Sequence, residues 1–150
     1  MRLTQLVTQS GADTYTSVGV STGLTLDGKA GWQITAMRAQ WVDGASVAAA
    51  DYTIAAKVGT ISATTTFGSA DEVDRVMWGL QNTAGVAVAF QFEPIREHVL
   101  FEPRLTVQPY IYVAVESAGT ANANDIIIEV FYDVVKLSDI EVMRLLVGGA

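Results

Sequence analysis

The ten residues WQITAMRAQW, at positions 32–41, show the pattern that recurs along most of this chain. Apolar side chains return at every second position, which predicts a β-strand with one face in a core. Trp32 and Ile34 fall on one face of this strand, whereas Met37 and Trp41 fall on the other. Both faces thus carry apolar groups, and we expect a second, outward surface of this strand to be partly covered.

The same alternation predicts strands elsewhere, most clearly at residues 52–58 (YTIAAKV) and 86–92 (VAVAFQF). Turn-forming pairs such as Asp27-Gly28 and Asp43-Gly44 separate the strands. Many short strands at such spacing favour an all-β sandwich or barrel. Further candidate strands are residues 1–9, 15–20, 24–26, 59–67, 98–101, 105–107, 110–115 and 126–135.

One segment is ambiguous between helix and strand, and three prolines indicate where strands end. Residues 71–80 (DEVDRVMWGL) fit a helical stripe and also a strand, so we expect either a short helix or the entry into a strand. Pro94, Pro103 and Pro109 lie beside the apolar runs, and they support strand boundaries because proline cannot donate a hydrogen bond to a neighbouring strand.

The C-terminal segment predicts a helix within residues 137–147. Ser138 and Glu141 form a capping-box pair, in which each side chain can bond to the backbone amide of the other residue. Gly148-Gly149 provides a stop. The helix can pack on its own sandwich or on an adjacent subunit, through the apolar stripe Ile140, Met143, Leu146 and Val147.

The composition limits the function classes. A chain of 150 residues fits one domain spanning residues 1–150, and its net charge of −7 disfavours direct binding of nucleic acid. The absence of cysteine excludes disulfides and thiolate metal sites. We expect no targeting segment and no membrane span, because no apolar run approaches the roughly 20 residues that a spanning helix needs.

Candidate residues for chemistry are few. His98 is the only histidine, and no serine lies in the context of a catalytic nucleophile, so we expect no enzyme and no zinc site. The carboxylates of Glu93, Glu97 and Glu102 fit a solvated face better than a glycosidase pair. Two groups of residues have the oxygen donors of a calcium site but lack the spacing of a calcium-binding loop. These groups are Asp71, Glu72 and Asp74, and Asn122, Asn124 and Asp125. We expect no cofactor.

Residues 110–146 contain two strongly apolar strands, a small polar loop between them and the capped helix. This segment, together with few lysines and no cysteine, resembles single jelly-roll and related β-sandwich structural proteins of viruses and phages. The resemblance implies an eight-stranded, two-sheet antiparallel sandwich that self-associates into a capsomer and then a shell. It implies a capsid or decoration subunit of a virion, in contact with other virion proteins.

Surplus apolar surface gives a physical reason to expect a homo-oligomer. The residues predicted to contact neighbouring subunits are Met37, Trp41, Ile140, Met143, Leu146 and Val147. An alternative is an extracellular carbohydrate-binding module, which requires two exposed aromatic rings on one face or in one loop. We expect Trp41 at an exposed edge, and we expect Trp32 and Tyr52 in the core. A third alternative, a small hydrolase or isomerase, requires two carboxylates, or His98 with a carboxylate, that converge in one pocket and have perturbed pKa values.

Overall fold

A computed structural model of the protein describes residues 1–25, 28–43, 52–60, 72–80, 94–120 and 122–147. No helix in these ranges is long and apolar enough to cross a membrane. The secondary structure consists of β1 (Arg2–Thr8), β2 (Tyr15–Ser21), β3 (Ala30–Asp43), β4 (Tyr52–Gly59), β5 (Glu72–Leu80), β6 (Ile95–Thr106), β7 (Tyr110–Ala118), β8 (Asp125–Lys136) and α1 (Asp139–Val147).

The strands form two antiparallel sheets of four strands each. Sheet I has the order β1-β8-β3-β6, and sheet II has the order β2-β7-β4-β5. Four strand pairs are nested: the first strand of the chain pairs with the last, the second with the last but one, and so on inward. These pairs are β1·β8, β2·β7, β3·β6 and β4·β5. A long antiparallel hairpin that is rolled into two sheets has this nesting, which is the topology of a jelly roll. The predicted two-sheet sandwich with a C-terminal helix is confirmed.

The core lies between the two sheets and is built from their inward-facing residues, which alternate with outward-facing residues along each strand. Trp32 and Tyr52 belong to it, as predicted, and Trp78 is the largest of its fully buried side chains. Sheet I also supplies Val7, Ile126, Ile128 and Val130, and sheet II supplies Ile54, Ala56, Val58, Val76, Ile111, Val113 and Val115.

A β-bulge interrupts the pairing of β3 with β8. Ile34 lies opposite Tyr132 and Ala36 lies opposite Phe131, so Thr35 is one residue in excess on β3. Because successive side chains of a strand point to opposite faces, one extra residue moves all the following side chains to the other face.

The bulge determines which residues of β3 reach the core. Trp32 and Ile34, before the bulge, and Met37 and Ala39, after it, are buried in a single cluster, and Trp41 packs half-buried against them. The expectation that Met37 and Trp41 lie on a second, outward face is therefore wrong. The apolar residues that seemed surplus in the sequence fill one interior, and Trp41 is not at an exposed edge.

Other predicted elements change their bounds. Residues 72–80 form strand β5, which resolves the ambiguity between helix and strand. Residues 98–101 and 105–107 were expected as two strands, but β6 is one strand that runs from Ile95 to Thr106 through Pro103. Of the strand predicted at 24–26, Leu24 and Thr25 are not in a strand, and residue 26 lies outside the described residues. The predicted strand at 86–92 and most of that at 59–67 lie outside the described residues.

Candidate self-association surface

Helix α1 packs on its own sandwich along one side. Val142 is buried with Val107 and Leu137 in a small second cluster, and Leu145 packs against this cluster from the helix. Of the two alternatives for the helix, the intramolecular contact is therefore present, and it uses residues other than the predicted stripe.

The N-terminus of α1 is held by the predicted capping box, which is confirmed. The Ser138 amide donates to Glu141 Oε2 at 2.7 Å, and the Glu141 amide lies 3.4 Å from Ser138 Oγ. Lys29 Nζ lies 3.0 Å from Asp139 Oδ1, which ties the first turn to the chain just before β3. The two capping-box bonds give partners to backbone amides at the start of the helix, so the helix begins at a defined residue.

The capping bond makes the start of α1 sensitive to acid. The Ser138 backbone amide, which donates to the Glu141 carboxylate, lowers the pKa of Glu141 below its ordinary value. The cap thus stabilises the folded helix at pH values above the ordinary carboxyl pKa, and this contribution is lost as the pH falls through the lowered value. We expect NMR Cα shifts of the first turn to move toward coil with the titration of Glu141. In Glu141→Gln this pH dependence should vanish; its persistence would contradict the assignment.

The opposite side of α1 is apolar and exposed. Ile140, Met143 and Val147 expose between 61 and 83% of their surface, and Leu146 exposes 37%. Ile140, Met143 and Val147, with the stems of Asp139 and Arg144, line a shallow groove of about 550 Å³, here called the α1 groove. The four predicted helix residues thus face solvent on a helix whose other side is anchored.

A second exposed apolar feature lies on β6, one of the two edge strands of sheet I. Val99 pairs with Ala36 and Arg104 pairs with Ile34, so residues 100–103 have only one β3 residue opposite them. This stretch, here called the β6 bulge, projects Phe101, whose side chain is 98% exposed. An exposed phenylalanine of this degree is a candidate contact for another chain.

Phe101 is not among the predicted contact residues, because Pro103 was expected to mark the boundary between two strands. Proline within a strand is confined largely to edges and bulges, because it has no amide to donate. Glu102-Pro103 inside an apolar run was therefore a usable signal for a bulge on an edge strand.

The outer face of sheet I carries charge between its apolar residues. Glu129 accepts ion pairs from Arg2 at 3.1 Å and from Arg38 at 3.4 Å. Leu6 on β1 is half exposed on this same sheet, opposite Ile127 and far along β8 from α1. Leu6 is therefore an exposed apolar residue outside the α1 groove, and it can serve as a control site for substitutions in the groove.

His98 and Asp74 meet where edge strands β5 and β6 face each other. His98 Nδ1 lies 2.7 Å from Asp74 Oδ1, which also accepts the Arg75 amide at 2.9 Å. Asp74 is buried, and its Oδ2 has no hydrogen-bond partner in the described part of the chain. His98 is exposed at a strand edge and hydrogen-bonded, as predicted.

The pair borders a cleft of about 580 Å³ lined by residues 75–77 and 95–98. A carboxylate on Nδ1 orients an imidazole for proton transfer at Nε2. The lining residues include no serine, threonine or cysteine that His98 could activate. His98 beside the Asp74 carboxylate is thus a pairing that the hydrolase or isomerase alternative requires, and the described lining holds no side-chain hydroxyl or thiol nucleophile for a hydrolase.

The remaining acidic candidates do not converge. Glu72 pairs with Arg75 at 3.3 Å, and Asn124 is buried against Gln9. Asp71 and Glu93 lie outside the described residues. Within the described ranges no three His, Asp or Glu side chains form a group that could hold a metal ion.

The aromatic residues that the structure describes do not form a platform. Phe101 on sheet I and Tyr110 on sheet II are the exposed aromatic side chains among the described residues, so they lie on different sheets. Trp32 stacks on Tyr132 with ring centroids 3.6 Å apart. The carbohydrate-binding alternative requires two exposed rings on one face, and the described residues do not place two there.

Comparison with known proteins leaves the surface as the main guide to function. No family model matches the chain, and no curated protein matches it significantly. The geometry brings the four predicted helix residues Ile140, Met143, Leu146 and Val147 together on α1 and places the other two, Met37 and Trp41, against the core.

Proposed function

We propose that this chain is a self-assembling structural subunit of a virion, either a capsid or a decoration protein, that contacts its own copies through α1. The observation that carries the proposal is the apolar side of α1, which is exposed on a helix that is anchored to the sandwich by Val142 and Leu145. A rigidly held apolar face loses little conformational entropy on docking, which favours association.

The fold supports this proposal without carrying it. Jelly rolls form viral shells, and they also occur in lectins and cupins, so the fold has to be combined with the surface. The net charge of −7 favours a shell subunit that does not itself bind the genome, since phosphate contacts need clustered basic residues.

The magnitude of the contact fits an assembly of many copies. Complete burial of an aliphatic side chain contributes about 1.5–3 kcal/mol, and association costs at least about 4 kcal/mol in lost freedom of motion. A contact made by Ile140, Met143 and Val147 is therefore weak by itself. Several such contacts per subunit reinforce one another in a closed shell.

The experiment is light scattering after size-exclusion chromatography over a range of concentrations and salts, followed by negative-stain microscopy. We expect the wild-type chain to form oligomers or particles and Val147→Asp to shift the population to monomers, because it places a charge in the α1 groove. Leu6→Asp, a matched change at a half-exposed apolar residue far from α1, should assemble as wild type does. A monomeric wild-type chain under all conditions would overturn the proposal.

A further inference from the structure

We infer that Phe101 of one copy packs into the α1 groove of a second copy. The inference rests on the proposed self-assembly and specifies its contact. It assigns a projecting group and a receiving surface on the same chain, each of which lacks an apolar partner within the described structure.

Phe101 has the properties of an anchor residue. It lies at the crest of the β6 bulge, where residues 100–103 face a single β3 residue, and its side chain is 98% exposed. Its neighbour Leu100 packs against the core and Pro103 stiffens the backbone, so the ring is presented from a constrained segment. Aromatic side chains held this way dominate the energy of many protein interfaces.

The α1 groove has the size and character to receive this ring. Its volume of about 550 Å³ is bounded by Ile140, Met143 and Val147, and no other side chain of the described chain fills it. The flexible Met143 among its lining residues can adjust to an aromatic ring, and contact of methionine sulfur with such a ring is itself favourable. The ring and the groove thus match in apolar character.

Charge supports the same pairing. Exposed Glu102 follows Phe101 directly, and the charged residues that line the α1 groove are Arg144 and Asp139, of which Asp139 is already paired with Lys29. When Phe101 enters the groove of a second copy, Glu102 can come within reach of that copy's Arg144. In a chain of net charge −7, this local complementarity offsets the general repulsion between copies.

Phe101 and the groove are different patches, so the contact is head-to-tail. A head-to-tail contact leaves a free Phe101 at one end and a free groove at the other, and it continues until a ring closes. A closed ring of this kind fits the proposed shell-forming role. A symmetric pairing of α1 with α1 would stop at a dimer and would not use Phe101.

The test uses two variants of the full chain, Phe101→Asp and Met143→Asp, which remove the projecting ring and the groove separately. Each alone should weaken self-association by about tenfold or more, because a charge replaces a buried apolar contact. Mixed in equal amounts, they should form a one-to-one complex and nothing larger, because one intact Phe101 and one intact groove remain. Light scattering and analytical ultracentrifugation measure both results.

The possible outcomes separate the two proposals. If the wild-type chain associates and Phe101→Asp associates equally well, the inference is overturned and self-assembly stands. If both variants are monomeric and their mixture is also monomeric, the contact is not Phe101 in the groove, and the inference fails. If the wild-type chain is monomeric throughout, both proposals fail.

A charge-reversal pair supplies a second readout that leaves the apolar contact intact. Glu102→Arg and Arg144→Glu should each weaken association, and the double variant should recover most of the loss. Both residues are exposed, so all of these variants should keep the wild-type thermal transition. Additive losses in the double variant would count against the assigned charge pair and with it the orientation of the contact.

Discussion

Replacing Met37 with alanine lowers the free energy of unfolding by about 2–5 kcal/mol, the range for large-to-small changes in a close-packed core. Met37 has no exposed surface, and it belongs to the same cluster as Trp32, Ile34 and Ala39. The truncation leaves a cavity that the two sheets cannot collapse without breaking the pairing on both sides of β3.

Met143→Ala is the matched control, since it removes the same atoms from an exposed position on α1. We expect its effect on unfolding to stay within about 0.5 kcal/mol. Urea denaturation followed by tryptophan fluorescence measures both variants. Equal, small effects at the two positions would mean that Met37 is not interior, and they would contradict the bulge at Thr35 that turns it inward.

Replacing Gln9 with alanine destabilises the fold by about 2–4 kcal/mol, because several buried polar groups lose their partner together. Gln9 Nε2 donates to the Thr14 carbonyl at 2.6 Å and to Ser117 Oγ at 3.0 Å. Gln9 Oε1 accepts a hydrogen bond from the backbone amide of Asn124 at 3.0 Å. One side chain thus joins the turn after β1 to the ends of β7 and β8.

Gln5→Ala is the control for Gln9. Gln5 is on the same strand, but its side-chain bond goes only to the neighbouring Leu6 carbonyl, at 2.8 Å. We expect a change of less than about 0.5 kcal/mol, measured by the same denaturation experiment. A Gln9 variant as stable as the Gln5 variant would show that water replaces the network at little cost.

Local patterns were sufficient for much of the fold. Alternation marked β3, β4, β7 and β8, and the Ser138–Glu141 pair located the start of α1 within one residue. Each of these signals concerns residues that are close in the chain, so the physical cause and the observable pattern coincide. The helical stripe on α1 was readable for the same reason.

The wrong or missing predictions concern features that depend on a strand distant in the sequence. A bulge is defined against the strand opposite, and nothing within residues 32–41 reveals that Thr35 is in excess over β8. The pairing of Asp74 with His98 depends on β5 and β6 meeting across the two sheets. The exposure of Phe101 likewise depends on how β6 pairs with β3.

Considered alone, the amino-acid order specified an acidic, strand-rich chain with a capped apolar helix at its end, because periodicity and capping are short-range properties. The tertiary structure alone decided the nested strand order, the inward turn of Met37 and the assignment of α1 to an anchored side and an exposed side. Those features depend on which segments pair across the whole chain, and alternation along one strand is the same for every possible neighbour.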